Sequence, residues 1–126
     1  MAAIDDHAFD SIADVLDELD LETNHLANVS SKWLSSNMTQ LRTLNLASNR
    51  IESLVLLDAL LLPALQVLNL SRNRINAFPD EIRQWTSLTT LDLSFNRLPS
   101  IPRFALTGLQ NLTWLSVASN RNLTCK

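Results

Sequence analysis

The 126 residues carry 26 leucines, one glycine and no tyrosine, with a net charge of −3 and 46% apolar content. Apolar content of that size supports a packed core and argues against disorder. A single glycine excludes the glycine-rich loops that cradle phosphates, and with them most nucleotide-dependent chemistry.

Residues 1–10, MAAIDDHAFD, lack the basic and apolar regions of a secretory leader. The sequence therefore reads either as cytosolic or as part of a longer chain. No apolar run approaches the roughly 18 residues that span a bilayer. Charge is unevenly spread: residues 1–31 hold eight acids and neither Lys nor Arg, whereas residues 32–126 carry +5. Such a gradient can orient an encounter with a charged partner or keep a leucine-rich chain soluble. Neither half is basic enough to suggest nucleic acid.

In chain order, the first segment places Ile4, Phe9, Ile12, Leu16 and Leu19 at spacings of an amphipathic helix. Residues 1–15 are expected to form a helical or irregular lid, or a partial repeat. From Leu16 onward a unit recurs. Its copies are Leu16, Leu19, Leu21, Asn24; Leu41, Leu44, Leu46, Asn49; Leu65, Leu68, Leu70, Asn73; Leu88, Leu91, Leu93, Asn96; and Leu112, Leu115, Val117, Asn120. They begin 23 to 25 residues apart, which divides 16–126 into five repeats: 16–40, 41–64, 65–87, 88–111 and an incomplete 112–126.

Alternation around the central leucines predicts a short strand in each repeat, with Leu44 and Leu46 pointing in and Asn45 out. The later asparagine is expected to turn inward and bond backbone groups left unpaired where the chain leaves the strand. Stacked copies form a ladder of Asn24, Asn49, Asn73, Asn96 and Asn120, which would make the turns in place of glycine. The returns carry apolar rows, such as Ile75, Phe78, Ile82, Trp85 and Leu88, that should face inward. Trp33 and Trp85 are expected in the core. Pro99 and Pro102 disfavour a regular helix in the return that follows Leu98. Residues 51–65 hold more leucine than a return needs, suggesting a short convex helix, or an apolar patch at 55–61 for self-association.

These repeats resemble the leucine-rich-repeat superfamily over roughly residues 4–126, and the return from Ile101 to Leu112 looks like its 24-residue class from extracellular animal receptors and matrix proteins. The resemblance implies an α/β fold: a curved leucine-rich-repeat solenoid with short parallel strands on its concave face and irregular or short helical returns on its convex face. It also implies a binding module, not an enzyme. The tail from Asn120 to Cys125 is similar to the entry of a cysteine-rich cap, with Asn122 where that segment usually has proline. The chain therefore reads as a slice of a longer one.

By register, the outward strand positions form columns. The first is Glu18, Thr43, Val67, Thr90 and Trp114; the second is Asp20, Asn45, Asn69, Asp92 and Ser116; the third is Glu22, Ala47, Ser71, Ser94 and Ala118. Candidate partner-binding residues are Glu18, Asn45, Val67, Thr90, Asp92 and Trp114, with Trp114 either an anchor or packed on a further repeat. A basic stripe of Arg50, Arg74 and Arg97, flanked by His25 and Arg121, is either a site for an acidic protein or sulfated glycan, or a solvated edge. Five sequons, at Asn28, Asn37, Asn69, Asn111 and Asn122, exceed the about two that composition predicts and favour an extracellular or cell-surface setting over a cytoplasmic one.

No catalytic or metal site emerges. His7 and His25 lie repeats away from Cys125, so no Cys–His pair forms within one chain. The set also cannot supply clustered zinc ligands. No cofactor is expected. The reading is a noncatalytic protein-recognition module, with a cytosolic adaptor or enzyme-regulating subunit, or a structural spacer, as alternatives.

Overall fold

The computed structural model describes residues 2–33, 38–55, 57–58, 62–121 and 123–125, with Thr124 and Cys125 described by their backbone. Among the described residues are seven short strands: β1 Glu18–Asp20, β2 Thr43–Asn45, β3 Val67–Asn69, β4 Thr90–Asp92, β5 Ser100–Ile101, β6 Trp114–Ser116 and β7 Thr124–Cys125. One from each repeat joins a five-stranded parallel sheet in the order β1-β2-β3-β4-β6. The register runs Glu18 to Thr43, Val67, Thr90 and Trp114, as the leucine spacing requires. This is a solenoid: each strand pairs only with the strands of adjacent turns.

The core lies between the sheet and the returns. The inward leucines Leu44, Leu46, Leu68, Leu70, Leu91 and Leu93 are fully buried. The return row of Ile75, Phe78, Ile82, Trp85 and Leu88 is buried opposite them, with a 3-10 helix at Asp80–Gln84. Trp33 is also in the core, where its ring meets Phe9 edge-on at 6.0 Å. The last turn is less covered: Leu112, Leu115 and Val117 are half-buried, whereas their counterparts Leu88, Leu91 and Leu93 are enclosed.

The asparagine ladder holds the turns together. Asn73 Nδ2 donates to the carbonyls of Leu70 and Ser71 in its own repeat at 3.1 and 3.2 Å, and to Leu46 in the preceding one at 2.9 Å. Its Oδ1 accepts the Ile51 N–H at 3.0 Å. Asn49, Asn96 and Asn120 repeat the scheme, each accepting one N–H from the turn before. Asn24, in the first repeat, bonds only the carbonyls of Leu21 and Glu22.

Two sequence expectations need correction. The asparagines are not the residues that turn the chain. In every repeat the residue before the asparagine is left-handed: Thr23, Ser48, Arg72, Phe95 and Ser119 all have φ between 55° and 58°. Second, the N-terminal segment is not an amphipathic helix. Residues 10–12 form a 3-10 turn whose i to i+3 bonds bring Phe9, Ala13 and Leu16 toward the core and leave Ile12 44% exposed. The short convex helix expected within residues 51–65 falls on Leu56, Ala59, Leu60 and Leu61, which lie outside the described residues; beside them Leu57 is buried and Val55 exposed. The return after Leu98 has no regular helix, as Pro99 and Pro102 lead one to expect; Ser100–Ile101 is extended there and pairs in parallel with Thr124–Cys125.

Two stability outcomes follow from the ladder and its turn. Asn73→Asp replaces an amide donor with a carboxylate facing three carbonyls, so it should cost more than Asn73→Ala, itself expected to lose about 2 kcal/mol. Thr23→Asn should gain about 1 kcal/mol, because a β-branched residue is strained at φ 58° and asparagine tolerates that region. Urea midpoints at constant m-value measure both.

Candidate recognition surface

The concave sheet face and the edge where its strands end are the two surfaces that carry chemistry. On the face, the first column is the open one: Glu18 is exposed, Thr43, Val67 and Thr90 are half-buried, and Trp114 is 50% exposed. A large, partly desolvated aromatic beside small side chains is the kind of group that anchors an interface.

The second column has a structural duty that the sequence pattern did not reveal. Asp20, Asn45, Asn69 and Asp92 each accept, through Oδ1, the N–H two residues on, at 2.9–3.1 Å. Asp92 also accepts the Ser94 hydroxyl at 2.6 Å. These Asx turns end each strand and lead into the left-handed residue. The recurrent Asx at one register was the available signal. Because the chain turns inward there, the third column is not a surface in mid-sheet: Ala47, Ser71 and Ser94 are buried, and only Glu22 and Ala118 at the ends are exposed.

The basic residues gather beyond the Asx turns. Arg50, Arg74 and Arg97 are exposed, and their backbone N–H groups bond carbonyls of the preceding repeat: Leu26, Ile51 and Ile75 at 2.8–2.9 Å. That pins the stripe at the strand spacing of about 4.8 Å per repeat. Among the described residues, no ion pair joins Arg50, Arg74, Arg97 or Arg121 to an acid. The left-handed column adds to this edge. Arg72 lies over the Phe95 ring at 4.2 Å, and Phe95 remains 46% exposed. A groove of about 630 Å³ opens beside it, lined by Phe95, Arg97, Pro99, Ser119, Arg121 and the ladder asparagines Asn73 and Asn96. Phe95 and Arg72 were absent from the sequence-derived candidates, since nothing in the repeat spacing marks the left-handed position as an exposed one.

The sequons occupy different environments. Asn28 and Asn111 are exposed, with Asn111 Nδ2 donating to the Thr86 carbonyl at 3.2 Å. Asn69 stands half-buried in mid-sheet with its Oδ1 engaged by the Ser71 N–H, and Ser71 is buried. Asn37 and Asn122 lie outside the described residues. Among the described residues no three His, Cys, Asp or Glu side chains gather as metal ligands.

The family described as Leucine rich repeat matches residues 14–75, 58–98 and 86–125. The chain belongs to the leucine-rich-repeat family. Among curated relatives, it is 32% identical over 107 residues to Osteomodulin of Rattus norvegicus, covering 83% of this chain and 25% of that protein. It is 34% identical over 119 residues to the MAP kinase phosphatase with leucine-rich repeats protein 1 of Dictyostelium discoideum, covering 92% of this chain and 14% of the relative. The chain thus spans a quarter or less of these relatives' length. Among solved structures, the leucine-rich-repeat ectodomain of the receptor kinase SOBIR1 from Arabidopsis thaliana superposes with a TM-score of 0.69 at 26% identity, over 94% of this chain and 63% of that one. The leucine-rich-repeat domain of APL1B reaches a TM-score of 0.80 at 23% identity over 99% of this chain and 36% of its own, which speaks to fold alone. This leucine-rich-repeat fold typically serves as a noncatalytic recognition module, and the likeness to receptor ectodomains is consistent with protein–protein recognition.

The buried Trp85 and the exposed Trp114 separate folding from recognition. Trp85→Ala should cost about 3–5 kcal/mol, because its ring is enclosed among return side chains. Trp114→Ala should change stability by less than about 1 kcal/mol, since half its surface already meets water. Thermal and urea unfolding of the two variants make the comparison.

Proposed function

We propose that this leucine-rich-repeat chain is a noncatalytic protein-recognition module of an extracellular or cell-surface protein, binding a protein partner across the concave face. The observation that carries this reading is the first outward column. Its middle is small and uncharged at Thr43, Val67 and Thr90, with the half-exposed Trp114 at one end and Glu18 at the other. Interfaces of this kind draw most of their energy from an aromatic anchor, with neighbouring contacts excluding water. The Asx turns hold Asn45 and Asp92 in place, so these polar groups are presented with little ordering cost.

Likeness to structures described as a peptide hormone receptor in complex with its ligand and as a receptor-kinase ectodomain supports both the recognition role and the extracellular setting. The exposed sequons Asn28 and Asn111 support the same setting.

Two experiments test this. A photo-crosslinking residue at position 90 in the intact protein should join a discrete protein partner, and Trp114→Ala should weaken that partner's binding by about 2 kcal/mol, roughly thirtyfold. Full affinity in Trp114→Ala and in Val67→Lys would remove the concave face from the reading. Behind a secretory leader, the chain should lose mass on glycosidase treatment, and Asn28→Gln with Asn111→Gln should reduce that loss. A secreted chain with no glycan would argue for the cytosolic alternative.

A further inference from the structure

The basic edge has a complement within the same chain. Residues 10–18 bring together Asp10, Asp14, Asp17 and Glu18, all exposed, with no Lys or Arg in residues 1–31. Two large apolar side chains are exposed among these acids: Ile12 at 44% and Val15 at 70%. They are exposed because the 3-10 turn points Ala13, not Ile12, into the core. Arg42 shares an open hollow with Asp14, Val15 and Asp17, and offsets part of this charge. An excess of acid remains on the segment.

At the far end of the solenoid, the Phe95 groove has the opposite composition. An exposed aromatic ring with Arg72 on one face lies beside Arg97 and Arg121, with no ion pair to an acid among the described residues. Arginines held at about 4.8 Å per repeat repel one another, and docking of an acidic surface relieves that repulsion. Guanidinium–carboxylate pairs are also directional, and can be bidentate.

We propose that the acidic, apolar segment at residues 10–18 of one copy docks on the Arg72–Phe95–Arg97–Arg121 edge of a second copy. Carboxylates of Asp14 and Asp17 meet the guanidinium groups of Arg97 and Arg121, while Val15 covers the open side of the Phe95 ring. The two patches are different surfaces, so the contact is heterologous: each copy keeps one free acidic and one free basic patch, and the arrangement extends head to tail. The two surfaces share Glu18 alone, and the residues changed below lie off the concave column, so the two readings are tested independently.

Charge swapping tests it. Sedimentation of the intact chain at up to about 1 mM should show concentration-dependent association in about 10 mM salt that is lost in about 1 M salt, where screening acts within about 3 Å. Asp14→Lys/Asp17→Lys and Arg97→Glu/Arg121→Glu should each be monomeric alone. Mixed one to one, they should associate again, because the basic edge of the first meets the acidic segment of the second and the two reversed patches complement each other in turn. Val15→Ser should weaken wild-type association without altering its salt dependence. A wild-type chain monomeric at about 1 mM in low salt, or a mixture of the two variants that stays monomeric while each is folded by circular dichroism, would overturn the proposal. Association that survives both charge reversals would assign self-contact to another surface and overturn it equally.

Discussion

Every turn of this solenoid ends its strand with backbone groups that have no partner in the same turn, and one amide side chain closes the gap on both sides. The asparagine at that point donates to carbonyls of its own repeat and the preceding one, and its oxygen takes an N–H from the preceding turn. A buried polar group left open costs roughly 1–3 kcal/mol, so the stack is stable only where neighbours supply these bonds. That constraint sets the strand register, and the register in turn aligns the outward columns proposed as the recognition surface. Asn24 shows the same logic at the first copy: with no described turn before it to bond, it is half-buried and satisfied locally.

Residues that look alike by position thus have unequal work. Asn45 and Asp92 present polar groups on the concave face, yet their Oδ1 atoms are engaged in ending the strand. Thr43, Val67, Thr90 and Trp114 carry no such bond and are free to meet a partner. The repeat thus separates positions that hold the turn from positions that face outward.

The strand register was legible to the residue, because leucines at fixed offsets can only face inward if Leu44, Leu68, Leu91 and Leu115 align. The ladder was legible for the same reason. The left-handed residues were not, since hydroxyls at Thr23, Ser48 and Ser119 give way to Arg72 and Phe95 and none of the five is glycine. Their conformation is imposed by bonds from neighbouring turns, such as Ser48 N–H to the Ser71 carbonyl at 2.9 Å. The burial of Ser71 and Ser94 was hidden because period-two alternation overran the strand by one position. Ile12 misled because 3.6-residue spacing and a 3-10 turn differ by one inward residue. At the candidate site, Trp114 and the arginine stripe could be read from register alone, whereas Arg72 over Phe95 required the turn geometry.

A turn built around glycine offers a partner nothing but backbone. Here the same bend is enforced from outside, and each repeat keeps a full side chain at its apex. Those apices line up across the sheet edge as a row of independently writable positions: threonine, serine, arginine, phenylalanine, serine. A mutation there edits what the edge displays while the bonds that shape the bend, made by main-chain atoms and by the asparagine next door, are left intact. The scarcity of glycine in this leucine-rich chain therefore enlarges its vocabulary for contact without enlarging its core.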